Sequence, residues 1–384
     1  MLSCQRDLVH LPEGLHYLNC AYMGPLLKSV EDAGVAAVRG RRDPTSITPD
    51  DFFAGAQGAR GLFGRLVNCP GERVAIVPSV SYAMATVAKN LHLAQGQNVV
   101  VARGQFPSNV YPWRRLCADA NAELRTVAPP DGADGRGEGW NARLLEAIDA
   151  STALVALGNV HWADGTRFDL ERIGSRAREV GAMLVVDGTQ SVGAMPFDVA
   201  RVRPDVLVCA GYKWLLGPYA LGLAYYGERF DGAAPLEEMW LGRQGSQDFT
   251  RLVDYADEYQ PGAARFDMGE RSSFALMPML TAALEQILAW DPASVQAYCR
   301  ELAAGVIDEA RALGCAVEDD AWRGAHLFGI RTPAGTDAAR LQQALAERRV
   351  IVSLRGDAVR VAPNVYNTPD DVAALAEALR AALG

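Results

Sequence analysis

Short apolar runs alternate with amphipathic stretches from about residue 70 onward. The apolar runs are bounded by turn residues and are rich in Val, Leu and Ala, which is typical of buried strands in a parallel sheet. They cover residues 73–78, 98–102, 153–158, 183–186, 206–209 and 222–226. Helical spacing fills the stretches between them, for example at residues 81–91, 113–120 and 170–180. This alternation predicts a mostly parallel α/β sheet with helices on its faces.

The pattern changes near Pro278. Helical spacing continues to about residue 313, and a final helix is predicted after the start signal Asn367-Thr368-Pro369. Between them lie short strand-like runs at residues 327–331, 350–354 and 358–361 and a helical stretch at residues 337–348. This order predicts a small α+β domain of residues 278–384, joined by the N-terminal segment 1–14, beside a large α/β domain of residues 15–277.

Composition and charge narrow the class of protein. Apolar residues make up 49% of the chain and charged residues 22%, as in soluble globular proteins. The net charge is −9 and no basic stripe is present, so we expect no nucleic-acid partner. No apolar stretch reaches membrane-spanning length. The seven cysteines are scattered and no signal-peptide pattern opens the chain, which favours a cytoplasmic location.

Lys213 and Asp187 follow two of the predicted strands. The carboxyl ends of neighbouring parallel strands face one crevice, where ligands bind in this architecture. A lysine there can form a Schiff base with an aldehyde, and an aspartate can keep a pyridine nitrogen protonated, so that the ring accepts electrons. Singly, the two residues also fit a solvated loop lysine and a helix-capping aspartate. Together they match what pyridoxal phosphate chemistry requires.

Two further segments fit the same chemistry. Ser81 and Tyr82 stand where a strand passes into a helix, and a hydroxyl with exposed amides at a helix N-terminus can hold a phosphate. Ser81 would equally serve as a plain helix cap. Phe106 follows the next strand, where it could stack on a planar ring or fill the core.

Taken together, these segments resemble the class V aminotransferase-like family of pyridoxal-phosphate enzymes. The family has fold type I and includes cysteine desulfurases, kynureninases and isopenicillin-N epimerase-like proteins. The resemblance covers essentially the whole chain. It implies a mostly parallel seven-stranded sheet flanked by helices, plus a small α+β domain. It also implies a homodimer with composite active sites whose substrate is a small molecule, an amino acid.

The resemblance also implies roles for individual residues. Lys213 would be the catalytic Schiff-base lysine, and Asp187 would bind the pyridine nitrogen of pyridoxal 5'-phosphate. The other cofactor-binding residues would be Ser81, Tyr82, Phe106, Gln190 and Tyr212, with Phe106 stacked on the ring, Gln190 beside its hydroxyl and Tyr212 at the phosphate. No metal ligand is implied.

Substrate binding is assigned to a second set of residues by the same resemblance. Arg360 opens a late motif whose arginine holds the substrate α-carboxylate, for which a planar guanidinium is well suited. Asn19 and Ala21 belong to an opening segment that runs past the substrate. Trp162 is the fourth residue assigned to the substrate. It lies in a region that contacts the ring, where His161 and Trp162 differ from the desulfurase-like pattern. Either could line the pocket, or His161 could be a packing residue.

The reaction type is less constrained than the cofactor, because one fold hosts several chemistries. Aminotransfer is the generic activity that the resemblance implies, with a C–S or C–C lyase or an epimerase as the alternative. A desulfurase that uses a nucleophilic cysteine shortly before Arg360 is disfavoured, since residues 316–360 contain no cysteine. A further possibility is a scaffold or binding protein that has kept the fold but lost the catalytic activity. A nicotinamide dehydrogenase is disfavoured because no G-x-G-x-x-G follows the early strands.

The side chain that the pocket accepts is left open between aromatic and acidic. Tyr22, Trp113, Trp162 and Arg355 are candidate lining residues on the basis of their position in the chain. We interpret Arg355 as a structural residue rather than a second substrate clamp.

Overall fold

The computed structural model describes residues 2–132, 135–356 and 358–384. Its strands are β1 (His16–Tyr17), β2 (Val74–Val77), β3 (Asn98–Ala102), β4 (Glu123–Val127), β5 (Thr152–Gly158), β6 (Met183–Asp187), β7 (Val206–Ala210), β8 (Gly222–Tyr226), β9 (Phe328–Arg331), β10 (Val350–Ile351), β11 (Ser353–Arg355) and β12 (Ala358–Val361). Its helices are α1 (Lys28–Gly40), α2 (Asp51–Val67), α3 (Val80–Asn90), α4 (Tyr111–Ala120), α5 (Arg136–Ala147), α6 (Leu170–Glu179), α7 (Val199–Val202), α8 (Leu276–Trp290), α9 (Pro292–Ala312), α10 (Ala338–Glu347) and α11 (Pro369–Leu383).

The central sheet has seven strands in the part of the chain that the structure describes, in the order β2-β8-β7-β6-β5-β3-β4. Strand β8 runs antiparallel to both of its neighbours, and the other pairings are parallel. The predicted α/β fold class is therefore confirmed. The apolar pattern identified six of these strands and missed β4. That strand lies at the sheet edge and is largely exposed or half-buried, so it lacks a continuous apolar run.

Successive residues of the central strands face opposite sides of the sheet and enter separate cores. In β3, Val100 belongs to one apolar cluster, whereas Val99 and Val101 belong to the other. Helices cover both faces, because strands such as β3 and β7 are buried along their whole length. Burial on both faces explains why these strands were visible as apolar runs.

A second, antiparallel sheet lies in the C-terminal region, with the order β11-β12-β9. The predicted strand at residues 350–354 is wrong as one element. Its first half, β10, pairs in parallel with β1 near the N-terminus, and its second half, β11, pairs with β12. The division of the chain into a large and a small domain near Pro278 stays a prediction. Within the described residues, no helix is both long enough and apolar enough to cross a membrane.

Candidate active site

The predicted site residues follow strands whose carboxyl ends lie at one edge of the central sheet. Asp187 ends β6 and is paired with Val208 of β7, while Lys213 comes three residues after β7 ends. Here the sheet edge opens into a cavity of about 310 Å³. The predicted residues that line this cavity are Ser81, Phe106, Trp162, Asp187, Gln190, Tyr212 and Lys213.

Lys213 is only 7% exposed. Burial lowers the pKa of its amine to about 8, and the nearby Asp187 carboxylate opposes part of that shift. The amine nitrogen Nζ lies 5.2 Å from the ring centre of Phe106 and 5.6 Å from that of Tyr212. A larger share of this lysine is therefore neutral near pH 7 than of a lysine in water, which favours nucleophilic attack on an aldehyde.

The carboxyl group of Asp187 faces the same cavity from the floor of the sheet. Burial raises its pKa, although hydrogen bonding from Thr189 and the charge of Lys213 lower it. The Thr189 amide donates to Asp187 Oδ1 over 3.0 Å and fixes the carboxyl group in place. A carboxylate withdrawn from water is stabilised by a cationic partner, and a protonated ring nitrogen would be one.

The helix α3 points its N-terminus at the cavity, as the phosphate prediction requires. Ser79 is the helix cap, because its Oγ accepts a hydrogen bond of 3.2 Å from the Tyr82 amide. Ser81 Oγ lies 3.0 Å from Ser79 Oγ, and both residues line the cavity together with Val80. Tyr82 is not among the residues that line the cavity, and its part in phosphate binding stays a prediction. Sequence reasoning missed Ser79 and Val80, although a serine directly after an apolar strand is a capping signal.

His161 both lines the cavity and is packed within the fold. Its Nδ1 lies 3.1 Å from Asp164 Oδ1, and its ring centre lies 5.0 Å from that of Trp140. Its Nε2 is buried, with no hydrogen-bond partner among the described residues. The sequence left open whether His161 lines the pocket or packs within the fold. In the structure it does both.

Trp162 and Gln190 form further parts of the wall. The indole of Trp162 donates to the Gly104 carbonyl over 2.7 Å and meets the edge of Phe106 with ring centres 5.5 Å apart. The Gln190 amide donates to the Ala21 carbonyl over 3.1 Å and accepts from the Trp214 indole over 2.8 Å. These contacts fix the orientation of both side chains within the wall.

Arg360 lies behind Trp162 rather than in the lining itself. It is 1% exposed and donates to the Trp162 carbonyl over 3.0 Å. Its other terminal nitrogen donates to Asn19 Oδ1 and to Ser353 Oγ, each over 3.2 Å. Burial, and secondarily the charge of Arg355, lower its pKa to about 10. Of the predicted substrate residues, Asn19 thus holds Arg360, and Ala21 holds Gln190.

An N-terminal segment of residues 16–25 runs from the C-terminal strand β10 to the loop that carries Lys213. Strand β1 pairs with β10, Asn19 forms a bridge with Ala362, and the Gly24 amide donates to the Tyr212 carbonyl over 3.0 Å. A Cβ atom on Gly24 would lie 2.3 Å from the Lys213 carbonyl oxygen. A glycine is therefore required where this segment crosses the loop that carries Lys213.

Trp113, a candidate lining residue, does not line the cavity. Its side chain is fully buried, and its indole donates a hydrogen bond to Asn109 Oδ1.

Comparison with known proteins places the chain in a family. The family described as "Aminotransferase class-V" matches residues 47–384. The chain belongs to this family. The class V chain is also 25% identical over 385 residues to an isopenicillin N epimerase from Streptomyces clavuligerus, an alignment that covers 96% of this chain and 94% of that protein.

Two desulfurases extend the comparison. The class V chain is 31% identical over 210 residues to a probable cysteine desulfurase from Methanothermobacter thermautotrophicus. That alignment covers 54% of this chain and about half (51%) of the desulfurase. The apo structure of a cysteine desulfurase from Thermococcus onnurineus NA1 superposes with a TM-score of 0.82 at 18% identity, covering 98% of this chain and 97% of that one. This second likeness shows a shared fold.

The cavity of this class V protein fits pyridoxal phosphate. A desolvated carboxyl group, Asp187, lies at the floor, an amine with a lowered pKa, Lys213, stands beside it, and two hydroxyls mark the N-terminus of α3. Phe106 supplies an aromatic ring against the lysine. The protein is a pyridoxal-phosphate-dependent enzyme, as predicted from the sequence.

Proposed function

We propose that this protein is an aminotransferase whose substrate is an amino acid. The observation that carries the proposal is the meeting of Lys213 and Asp187 at one cavity, with Arg360 held behind its Trp162 wall. Lys213 and Asp187 are suited to bind the cofactor, and Arg360 is suited to bind a substrate carboxylate. The family description favours amino-group transfer over the other chemistries of this fold.

Each residue has a defined task in this proposal. When bound, pyridoxal phosphate supplies an aldehyde that captures amines and a ring that accepts electrons. Lys213 and Asp187 would hold the cofactor, and Ser79 and Ser81 would bind its phosphate. The neutral Lys213 amine takes the proton from the substrate α-carbon. Arg360 binds the α-carboxylate, and its hydrogen bonds to Asn19 and Ser353 fix the orientation of the guanidinium.

An epimerase is the second candidate. The isopenicillin N epimerase of Streptomyces clavuligerus aligns with nearly the whole chain. His161 Nε2 is buried without a hydrogen-bond partner among the described residues, on the wall of the cavity that holds Lys213. An imidazole held by Asp164 can donate a proton as well as accept one, so it would serve as a second proton-handling group.

Single-turnover experiments with the purified holoenzyme separate the two candidates. We expect one equivalent of 2-oxo acid per subunit from the preferred amino acid, without any amino-group acceptor. In D2O, an epimerase would instead return the amino acid inverted and deuterated at the α-carbon, with no 2-oxo acid. Release of ammonia or sulfide from the amino acid would overturn both candidates in favour of a lyase.

The rate at which the apoenzyme takes up pyridoxal phosphate is expected to depend on pH through Lys213. The amine attacks only when neutral, and its pKa is lowered to about 8. The uptake rate should therefore rise with pH up to about 8 and level off above it. Stopped-flow absorbance measures this rate, and N-acetyl-lysine amide under the same conditions corrects for titration of the cofactor itself. A rate that keeps rising towards the pKa of a lysine in water would contradict the assignment.

A homodimer in the cytoplasm forms part of the proposal. Large apolar side chains stay exposed in this single chain, including Tyr22, Tyr111, Tyr219 and Tyr255. Exposed apolar groups of this size are typical of protein interfaces, and Tyr219 also lines the cavity, which supports a site completed by the partner. The cysteines are all free, which supports a reducing compartment.

A further inference from the structure

Two arginines lie on the same face of the β11–β12 hairpin. The register pairs Ser353 with Arg360 and Arg355 with Ala358. Since side chains alternate along a strand, Ser353, Arg355 and Arg360 all project from one side. Arg355 and Arg360 are diagonal neighbours there, a spacing that long side chains bridge. The strand pairing thus directs both guanidinium groups to the same place.

That place is the indole of Trp162, which forms part of the cavity wall. The guanidinium carbon lies 5.3 Å from the Trp162 ring centre in Arg355 and 6.0 Å in Arg360. Neither arginine is among the residues that line the cavity, but both lie against the Trp162 indole, which is. Their charges add to the lowering of the pKa of Lys213, of which burial is the main cause.

The two arginines have no acidic partner among the described residues. Arg360 donates only to neutral oxygens, those of Trp162, Asn19 and Ser353. Arg355 donates to the carbonyl of the adjacent Leu354, and its Nε is buried without a hydrogen-bond partner. Like charges held together without a counter-ion repel each other, and a ligand that brings negative charge would relieve that repulsion.

The ring of Trp162 is packed against other side chains of the protein. Its ring contacts both guanidinium groups and the edge of Phe106. The indole therefore supports the two arginines rather than receiving an aromatic side chain. Of the two substrate classes left open by the sequence, the arrangement favours the acidic one.

We propose that Arg355 binds a carboxylate on the substrate side chain and that the substrate is an acidic amino acid with one side-chain carboxylate. This inference rests on the proposed function, in which Arg360 takes the α-carboxylate. It replaces the interpretation of Arg355 as structural, because the hairpin register and the unpartnered Nε were not visible in the sequence. A guanidinium matches a carboxylate with two parallel hydrogen bonds, which adds specificity for that group.

The test compares Arg355→Gln with the unaltered holoenzyme on L-aspartate, L-glutamate and L-alanine. We expect kcat/KM for the preferred acidic donor to fall about 100-fold, while that for L-alanine changes by less than about twofold. Arg355→Lys should restore part of the loss, since it keeps the charge without the planar fork. Arg176→Gln is the control, because Arg176 makes an exposed ion pair with Glu179 on α6.

Binding of unreactive acids provides a readout that does not depend on turnover. By calorimetry, succinate or glutarate should bind more tightly than propionate, and Arg355→Gln should remove that difference, whereas Arg360→Gln should weaken all three. Equal use of L-alanine and the acidic donors, unaffected by Arg355→Gln, would overturn the inference and leave the proposed function standing. Failure of every amino acid to react would overturn the proposed function, while the binding data would still decide the role of Arg355.

Discussion

Replacing Lys213 with alanine is expected to lower turnover of every amino acid by at least about 10³-fold. The lysine is proposed both to hold the cofactor and to take the substrate proton, and no other lysine lines the cavity. Borohydride reduction of the unaltered holoenzyme should attach the cofactor to the peptide that contains Lys213, as read by mass spectrometry. Lys28 and Lys89 are the only other lysines in the sequence, so the labelled position is unambiguous.

Lys89→Ala is the matched control for this experiment. The Lys89 amine donates to the Pro235 carbonyl over 2.7 Å and lies outside the cavity lining, so activity should be kept. A circular dichroism spectrum and melting temperature close to those of the unaltered protein would show that Lys213→Ala is folded. Full activity in the folded Lys213→Ala protein would remove Lys213 from the mechanism.

Replacing Asp187 with asparagine is expected to lower kcat by about 10² to 10⁴-fold at saturating pyridoxal phosphate. Asparagine keeps the shape of the side chain but removes the negative charge that would stabilise a protonated ring nitrogen. Cofactor affinity should fall as well, and both quantities are measured by titrating the apoenzyme while following turnover. Burial raises the pKa of the Asp187 carboxyl group, and a cation beside it would stabilise the ionised form.

Asp169→Asn serves as the control for this charge removal. Asp169 caps α6 by accepting from the Arg172 amide over 3.1 Å, and asparagine caps a helix about equally well. We expect unchanged kcat and unchanged cofactor affinity in that variant. An Asp187→Asn enzyme with undiminished kcat would show that the ring nitrogen does not depend on this carboxylate.

The sequence predicted those parts of the fold that are buried on both sides. The interior strands were visible because both of their faces are apolar, whereas β4 was missed because its edge position tolerates charged residues such as Glu123 and Arg125. Helices α1 and α2 were also missed. Their glycines, Gly34 and Gly55, make close contacts with methionines of α8, so packing overrides a weak helix propensity.

The sequence predicted the position of those site residues that directly follow strands of the central sheet. Lys213, Asp187 and Phe106 could be placed because the carboxyl ends of parallel strands meet at one edge of a sheet. The pattern does not show which serine caps α3, so the hydrogen bond from the Tyr82 amide to Ser79 could not be predicted. The role of Arg355 depends on the register of a hairpin, and strand register follows from pairing rather than from composition.

The N-terminal crossing segment bears on how short a working version of this protein can be. The family match begins at residue 47, yet residues 16–25 supply the Asn19 oxygen that holds Arg360 and the Ala21 carbonyl that holds Gln190. A shortened chain that starts at residue 47 would keep Lys213, Asp187 and Arg360 but lose the two oxygens that hold Arg360 and Gln190. We therefore expect the smallest active form to include residues 16–25, and fusions should leave β1 free to pair with β10.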